Sequence, residues 1–288
     1  MQIPFYSRFI GGWNISMLNE SIHKCHNRNW KVILDYVRES AKNEYDGIKY
    51  YQSILQTASQ CQPGTFIALK MSGVFNPSQS PHFSLLLSKL VKQKHYITID
   101  AENVATYEAT SSFSNKTMEE HNTTRPAIFK TYQMYRKDAL IELQRDISLA
   151  HKLRYNLGVK LVRGAYHHSD KDSGILFTNK EDTDASYNEA CRILMWNLAK
   201  TYKVTPIFAT HNRESTELVK RLAITHFVAT NRFAFAQLLG MSDSLSSSLA
   251  QDGYTVYKYI PYGSILESIP YLIRRLHENK GMLSHISS

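Results

Sequence analysis

The chain has 288 residues, 43% hydrophobic and 20% charged, enough to bury a substantial core as one α/β barrel or one to two smaller domains. No apolar run approaches the roughly 18 residues of a membrane span, and three cysteines (Cys25, Cys61, Cys191) without a CxxC spacing read as free thiols in a reducing compartment rather than a disulfide framework. With 34 Lys and Arg against 25 Asp and Glu the net charge is +9; that admits an acidic membrane surface or anionic ligands, while the absence of a single basic tract argues against nucleic acid.

Residues 1–29 show no sustained period and read as an N-terminal arm or leader. Arg8 is the one charge among the first nineteen residues, too little for a transit peptide, and there is no signal-peptide core. From Trp30 a regular alternation sets in, with apolar or β-branched runs at 31–36, 65–71, 96–100, 127–132, 157–162, 204–210, 226–230 and 254–260. Between most of them lie stretches of helical spacing. Ile48, Tyr51, Ile54, Leu55 and Ala58 share one face; so do Leu140, Leu143, Ile147 and Ala150, and Ala190, Ile193, Leu194, Asn197 and Leu198. Strands alternating with helices imply parallel pairing, and eight such units imply a closed (β/α)8 TIM-type barrel over 30–288. The irregular places are 103–124, long and polar, and the short spacing between the sixth and seventh runs.

Barrels carry chemistry at the carboxyl ends of their strands. Here those ends read Asp35-Tyr36, Lys70–Gly73, Asp100-Ala-Glu102, Thr131-Tyr-Gln133, Arg163–Tyr166, Thr210-His-Asn212, Thr230-Asn-Arg232 and Tyr259–Gly263. The most informative is Val159-Lys-Leu-Val-Arg-Gly-Ala-Tyr166. It runs from strand into an open glycine turn, with Lys160 and Val162 expected on one face and Leu161 and Arg163 on the other. Two cations, bare backbone and an aromatic suit an anionic, aromatic-ringed ligand, although an isolated KxxRG is equally an ordinary strand with solvated ends.

Asp100 and Glu102 share a face if the strand extends that far. They fit a metal or acid–base pair, or more simply an ion pair with a neighbour such as Lys70; no HxH or HExxH accompanies them, so no metal is assigned. Lys70, Lys130, Lys160 and Lys258 fall near strand ends, where a desolvated lysine would form a Schiff base. His211 alone reads as structural. Near the C-terminus Ser264-Ile-Leu-Glu267 fits a capping box, with Pro270 expected to kink the helix or reset its start near Ser268. Ile265, Ile269, Leu272, Ile273 and Leu276 are the expected buried stripe. Arg274 and Arg275 are roughly 100° apart around the axis, and Glu278 is spaced to brace either. Such a pair grips a carboxylate, or merely favours the helix dipole.

Taken in order, Ile33–Tyr36, Ile67–Lys70, Ile99–Glu102, Thr131–Gln133, Val159–Tyr166, Ala209–Asn212, Gln237–Met241 and Tyr271–Arg275 with Glu278-Asn279 resemble the motifs of the proline dehydrogenase family, across about residues 30–280. The loop with Thr183-Asp184 and Tyr187 looks more like fungal mitochondrial members than bacterial ones. The resemblance implies a distorted (β/α)8 barrel binding FAD, with Ala101, Gln133, Lys160, Arg163, Gly164, Ala165, Tyr166, Thr210, His211 and Asn212 at cofactor positions. Lys160 matches the cation beside flavin N5, where many bacterial members have Arg, and Asp100 an acidic active-site position. Lys70, Arg274 and Arg275 match the grip on the substrate carboxylate, Tyr259 and Tyr271 the walls around the proline ring, and Glu278 the brace. It further implies oxidation of L-proline to 1-pyrroline-5-carboxylate, electrons passing to quinone, peripheral membrane contact and a mitochondrial location. Alternatives are a hydroxyproline dehydrogenase, whose counterpart of Tyr259 is smaller, and a flavin-free barrel acting as a Schiff-base lyase or an inactive binding module.

Overall fold

The computed structural model describes residues 8–38, 41–74, 81–200 and 203–278, with the side chains at 81, 82, 270 and 274–278 outside that description. Eight parallel strands close on themselves in sequence order: β1 (Lys31–Tyr36), β2 (Phe66–Lys70), β3 (Tyr96–Asp100), β4 (Ile128–Gln133), β5 (Leu157–Val162), β6 (Val204–Ala209), β7 (Ala234–Leu238) and β8 (Thr255–Tyr262). The helices α1 (Ile15–His26), α2 (Glu44–Ser59), α3 (Pro81–Lys92), α4 (Val104–His121), α5 (Ala139–Leu153), α6 (His167–Asp170), α7 (Lys180–Lys200), α8 (Arg213–Thr225), α9 (Asp243–Gln251) and α10 (Ile265–Glu278) complete the chain. This is the expected (β/α)8 architecture.

Strand parity makes two cores. Ile33, Phe66, Ala68, Phe129, Ile207 and Tyr257 fill the barrel interior, whereas their alternates, such as Leu34, Leu69, Ile97 and Leu161, pack outward under the helices. The same parity sorts the strand-end lysines. Lys70 and Lys160 point inward. Lys130 points outward, where Ser111, Asn115, Glu142 and Asp146 accept from its ammonium at 2.5–3.2 Å. Lys258 is also outside, donating to Met241 O and Asp243, both at 2.8 Å.

Two expectations fail for identifiable reasons, the seventh strand and the buried stripe of the last helix. The seventh strand is Ala234–Leu238, not 226–230. Apolar 226–230 instead closes α8: the amides of His226 and Val228 bond back to Leu222 and Ala223, Phe227 takes a left-handed φ of 55° and a 3-10 turn follows. Helix capping has overridden strand propensity. Within 1–29, Ile15–His26 is a regular helix capped by Asn14, whose side chain accepts from Met17 N at 3.0 Å. Finally, α10 runs through position 270 without resetting, because Ser264 and Glu267 cap it reciprocally. Its buried face is Ser268 and Tyr271, while Ile265, Ile269 and Ile273 stay 41–47% exposed; the orientation follows Tyr271, which points into the barrel mouth, rather than the apolar stripe.

The polar stretch 103–124 forms α4. Thr110, Ser114 and Thr117 are buried there because each hydroxyl donates to the carbonyl one turn back, at 2.7–2.9 Å.

Candidate active site

A cavity of about 540 Å³ opens at the carboxyl ends of the strands, within the range of small-molecule sites. Lys70, Asp100, Ala101, Gln133, Lys160, Arg163, Gly164, Ala165, Tyr166, Thr210, His211, Asn212, Tyr259 and Tyr271 all line it. Arg274, Arg275 and Glu278 lie in α10, but their side chains fall outside the described residues. A second cavity, of about 680 Å³, lies at the opposite mouth over Phe66, Phe129 and Tyr257; the charged side chains that converge on the first site make that one the candidate for chemistry.

The floor carries charges of alternating sign: Asp35 from β1, Lys70 from β2, Asp100 from β3 and Lys160 from β5. Asp35, Lys70 and Asp100 are the last inward residues of their strands, Lys160 is followed inward by Val162, and all four are buried. Lys70 donates to Asp35. Asp100 is therefore not the main partner of Lys70, as the sequence suggests; Lys160 reaches across β4 to it at 2.6 Å. Glu102 does not share that face either. β3 ends at Asp100, and Glu102 accepts from the Ser72 amide at 2.9 Å.

Asp100 accepts further from the Tyr259 hydroxyl, from Thr98 at 3.3 Å and from Thr131 at 3.5 Å. Burial alone would raise its carboxyl, but Lys160, with Lys70 behind it, outweighs that and holds it below the usual range. Tyr259 is fixed at both ends: its hydroxyl by Asp100 and its ring by the Lys160 ammonium, 4.5 Å from the centroid. Burial, then the Asp100 charge, keep its phenol neutral far above its ordinary pKa.

Arg163 lies one residue beyond β5, so strand alternation no longer governs it, and it lines the same cavity as Lys160 and Val162. Asp184 accepts from its Nε at 2.6 Å, Thr210 from Nη1 at 2.7 Å and Ser215 from Nη2 at 2.9 Å, while Tyr187 stacks beneath it at 4.3 Å. Gly164 has φ +140°, and a Cβ there would come 2.6 Å from the Tyr135 ring; only glycine lets the chain turn between ring and cavity. His211 Nε2 accepts from the Leu238 amide at 3.1 Å, which places the proton of a neutral ring on Nδ1. Asn212 caps α8, accepting from Ser215 N at 2.9 Å.

Sequence reasoning left Asp35 out of the site although it ends β1 by the same pattern that marks Asp100. Gln237 and Leu238 also line the cavity; they were hidden by the misplaced seventh strand. Among the described residues, no group of three or more His, Cys, Asp or Glu is placed to hold a metal.

Fold and site together define a TIM-type barrel with a charged, aromatic-walled small-molecule site. The model of the family described as "Proline dehydrogenase" matches residues 18–288, so the chain belongs to the proline dehydrogenase family. It is 33% identical over 208 residues to human "Proline dehydrogenase 1, mitochondrial", covering 69% of this chain and 35% of that one. It is 34% identical over 227 residues to human "Hydroxyproline dehydrogenase", covering 72% and 49%. Proline utilization A (PutA) from Bdellovibrio bacteriovorus has the same fold, with a TM-score of 0.86 at 18% identity over 96% of this chain and 33% of that one. The chain thus spans a third to a half of the length of these proteins. The family is flavin-dependent.

Proposed function

We propose that this chain oxidises L-proline to 1-pyrroline-5-carboxylate with FAD as its cofactor. The observation that carries the reading is the charged floor of Asp35, Lys70, Asp100 and Lys160 beneath two buried tyrosine rings, Tyr259 and Tyr271, within one cavity. A zwitterion on a small apolar ring matches that arrangement: ammonium to carboxylate, carboxylate to ammonium, ring to ring.

The donor set also fits FAD. Lys160, the Gln133 amide and His211 Nδ1–H suit the carbonyls and nitrogens of the flavin ring. Arg163, the bare backbone of Gly164 and Ala165, Thr210 and the start of α8 at Asn212 suit phosphate oxygens. Ala101 and Tyr166 complete the walls. When bound, the flavin supplies the hydride acceptor.

The chain's own part is to bind and orient. Lys70, with Arg274 and Arg275, holds the substrate carboxylate. Tyr259 and Tyr271 would wall the substrate ring and fix its orientation, and orientation of this kind supplies several kcal/mol of a barrier, on the order of 7 or more at best. Lys160 places a cation where the electron-rich reduced cofactor is favoured. Asp100 holds both Lys160 and Tyr259 in place. Both floor lysines are salt-bridged, as is Lys180 at the rim, whereas a Schiff-base lyase needs a desolvated neutral one.

The electron acceptor is a quinone, reached by peripheral contact with a membrane in the mitochondrion, where several relatives are named as residing. Among the described residues no helix is long and apolar enough to cross a membrane. The test is an absorbance spectrum of the purified protein, followed by anaerobic addition of proline. A flavin spectrum that bleaches supports cofactor, substrate and direction together. A colourless protein that FAD does not reconstitute refutes the reading.

A further inference from the structure

The cavity of about 680 Å³ lies at the amino ends of the strands. In a (β/α)8 barrel that face ordinarily serves stability, over an interior filled with side chains. Here it is lined by a ring cluster. Phe66 stacks on Tyr96 with centroids 4.9 Å apart and meets Phe129 edge-on at 5.0 Å. Arg125 backs Tyr96, 5.2 Å from its centroid, and donates to its hydroxyl at 3.1 Å. Ile33 and Ala68 stand between the two cavities, each one inward step from Lys31 or Phe66 below and from Asp35 or Lys70 above.

Two polar residues share this mouth with the rings. Lys31 opens β1 and is the register partner of Tyr257 in β8, and both line the cavity. Tyr257 is only 8% exposed. Its ring meets Phe66 edge-on at 5.0 Å, and its hydroxyl has no hydrogen-bond partner among the described residues. Burial, then the neighbouring Tyr96, hold the phenol above its ordinary pKa, so it stays an O–H donor. A buried donor without an acceptor is costly, and an acceptor entering the cavity would satisfy it. The charges around it have one sign. Among the described residues no Asp or Glu lines the cavity, whereas Lys31 and Arg232 do, with His23 and His26 from α1. A cationic rim over an apolar wall selects for an anion with an apolar body.

We propose that the amino-end mouth of the barrel is a second small-molecule site, which takes an aromatic carboxylate. The ligand ring lies against Phe66, Tyr96 and Phe129, and its carboxylate accepts from the Tyr257 hydroxyl and from the Lys31 ammonium. The flat ring wall favours a planar body over a branched aliphatic one. The single buried hydroxyl beside one cation suits a monocarboxylate, since a hydrogen bond from a buried neutral donor to an anion is among the stronger kinds. The site stands on residues that the proposed oxidation does not use, so it is independent of that reading.

Calorimetry of 2-naphthoate binding to the purified protein is the test, with 2-naphthalenemethanol as its uncharged counterpart. Naphthoate is expected to bind with a Kd on the order of 1 mM or tighter, the worth of a ligand of this size at ordinary efficiency. Tyr257→Phe removes only the hydroxyl and is expected to weaken binding about tenfold or more, as for a lost hydrogen bond to a charged group. Lys31→Gln, at an exposed side chain, is expected to weaken it about two- to fivefold. The alcohol is expected to bind more weakly than the acid. Tyr259→Phe, which alters the other cavity, is expected to leave naphthoate affinity unchanged. No binding to wild type overturns the proposal, as does equal affinity for acid and alcohol. Affinity that falls in Tyr259→Phe and stays constant in Lys31→Gln and Tyr257→Phe also overturns it, because the ligand then sits at the carboxyl ends of the strands. Should Tyr257→Phe fail to fold, Lys31→Gln decides: unchanged affinity there refutes the site.

Discussion

Replacing Asp100 by Asn keeps the shape of the side chain and removes its charge. Lys160, buried beside it with only 7% of its side chain exposed, is left without its carboxylate, and Tyr259 loses a charge-assisted acceptor. Removing one partner of a buried ion pair costs about 3–5 kcal/mol, and the low exposure of both partners leaves little solvent to soften that. Against a total stability of roughly 5–15 kcal/mol, the loss is large; at roughly 2 °C per kcal/mol for a chain of this size it lowers Tm by about 6–10 °C. The sign of the pH dependence follows from the depressed Asp100 carboxyl. Its contribution is present above the unfolded value near pH 4 and is lost as pH falls through the lower folded value. The Tm gap between wild type and Asp100→Asn is thus full at pH 7 and narrows below about pH 4. Proline turnover falls too, by about 10²-fold, because the Tyr259 wall is no longer held. Calorimetry from pH 3 to 7 and steady-state kinetics measure both effects. A variant with wild-type Tm at pH 7 would refute the argument, since the pair would then contribute nothing.

Lys130→Met leaves Glu142 and Asp146, on the face of α5 toward α4, with the largely exposed Arg145 as their counter-ion among the described residues. It is expected to cost about 3–5 kcal/mol in urea unfolding while leaving the bound-flavin spectrum unchanged, because the cluster is outside the barrel. Adding Glu142→Gln and Asp146→Asn should restore much of the loss. Arg163→Ala removes a guanidinium that Asp184, Thr210 and Ser215 hold at the cavity rim; flavin retention on gel filtration is expected to fall, and full occupancy would show that the arginine does not reach the cofactor. Tyr259→Ser opens the ring wall and should shift the ratio of kcat/KM values toward hydroxyproline; an unchanged ratio would count against Tyr259 as that wall.

Legibility in the sequence followed strand parity and failed where parity stops. Lys70 and Asp100 are inward because they continue the alternation of Phe66, Ala68 and of Thr98, and the same rule read one strand earlier yields Asp35. Lys130 and Lys258 resemble the cavity lysines in composition and differ only in parity. Arg163 stands past the end of β5, so alternation misdirects it to the outer face. The segment 226–230 has strand composition, but α8 needed a left-handed turn to close, which placed Phe227 in solvent with 96% exposure. α10 shows the opposite conflict: its apolar stripe argues for one buried face, and the tyrosine that walls the cavity sets another. Cross-barrel partners were not legible at all. Lys160 meets Asp100 across an intervening strand, a choice made by barrel curvature and by Lys70 being engaged elsewhere.

That engagement explains why the floor carries two ion pairs rather than a bare cation. A lone buried lysine in the substrate-free protein would be costly or would lose its proton, so Lys70 needs Asp35 before the substrate arrives. On the proposed function, the two floor pairs Asp35–Lys70 and Asp100–Lys160 would meet a net-neutral zwitterion, and binding at the floor would be an exchange of partners rather than the burial of new charge. Simple amines or simple carboxylates break the exchange, since each leaves one floor charge uncompensated. On that reading the Asp35–Lys70 pair would contribute to discrimination against both pyrrolidine and acetate. Lys70→Met should erode both preferences together, read as a fall in the ratio of proline affinity to that of either simple ligand.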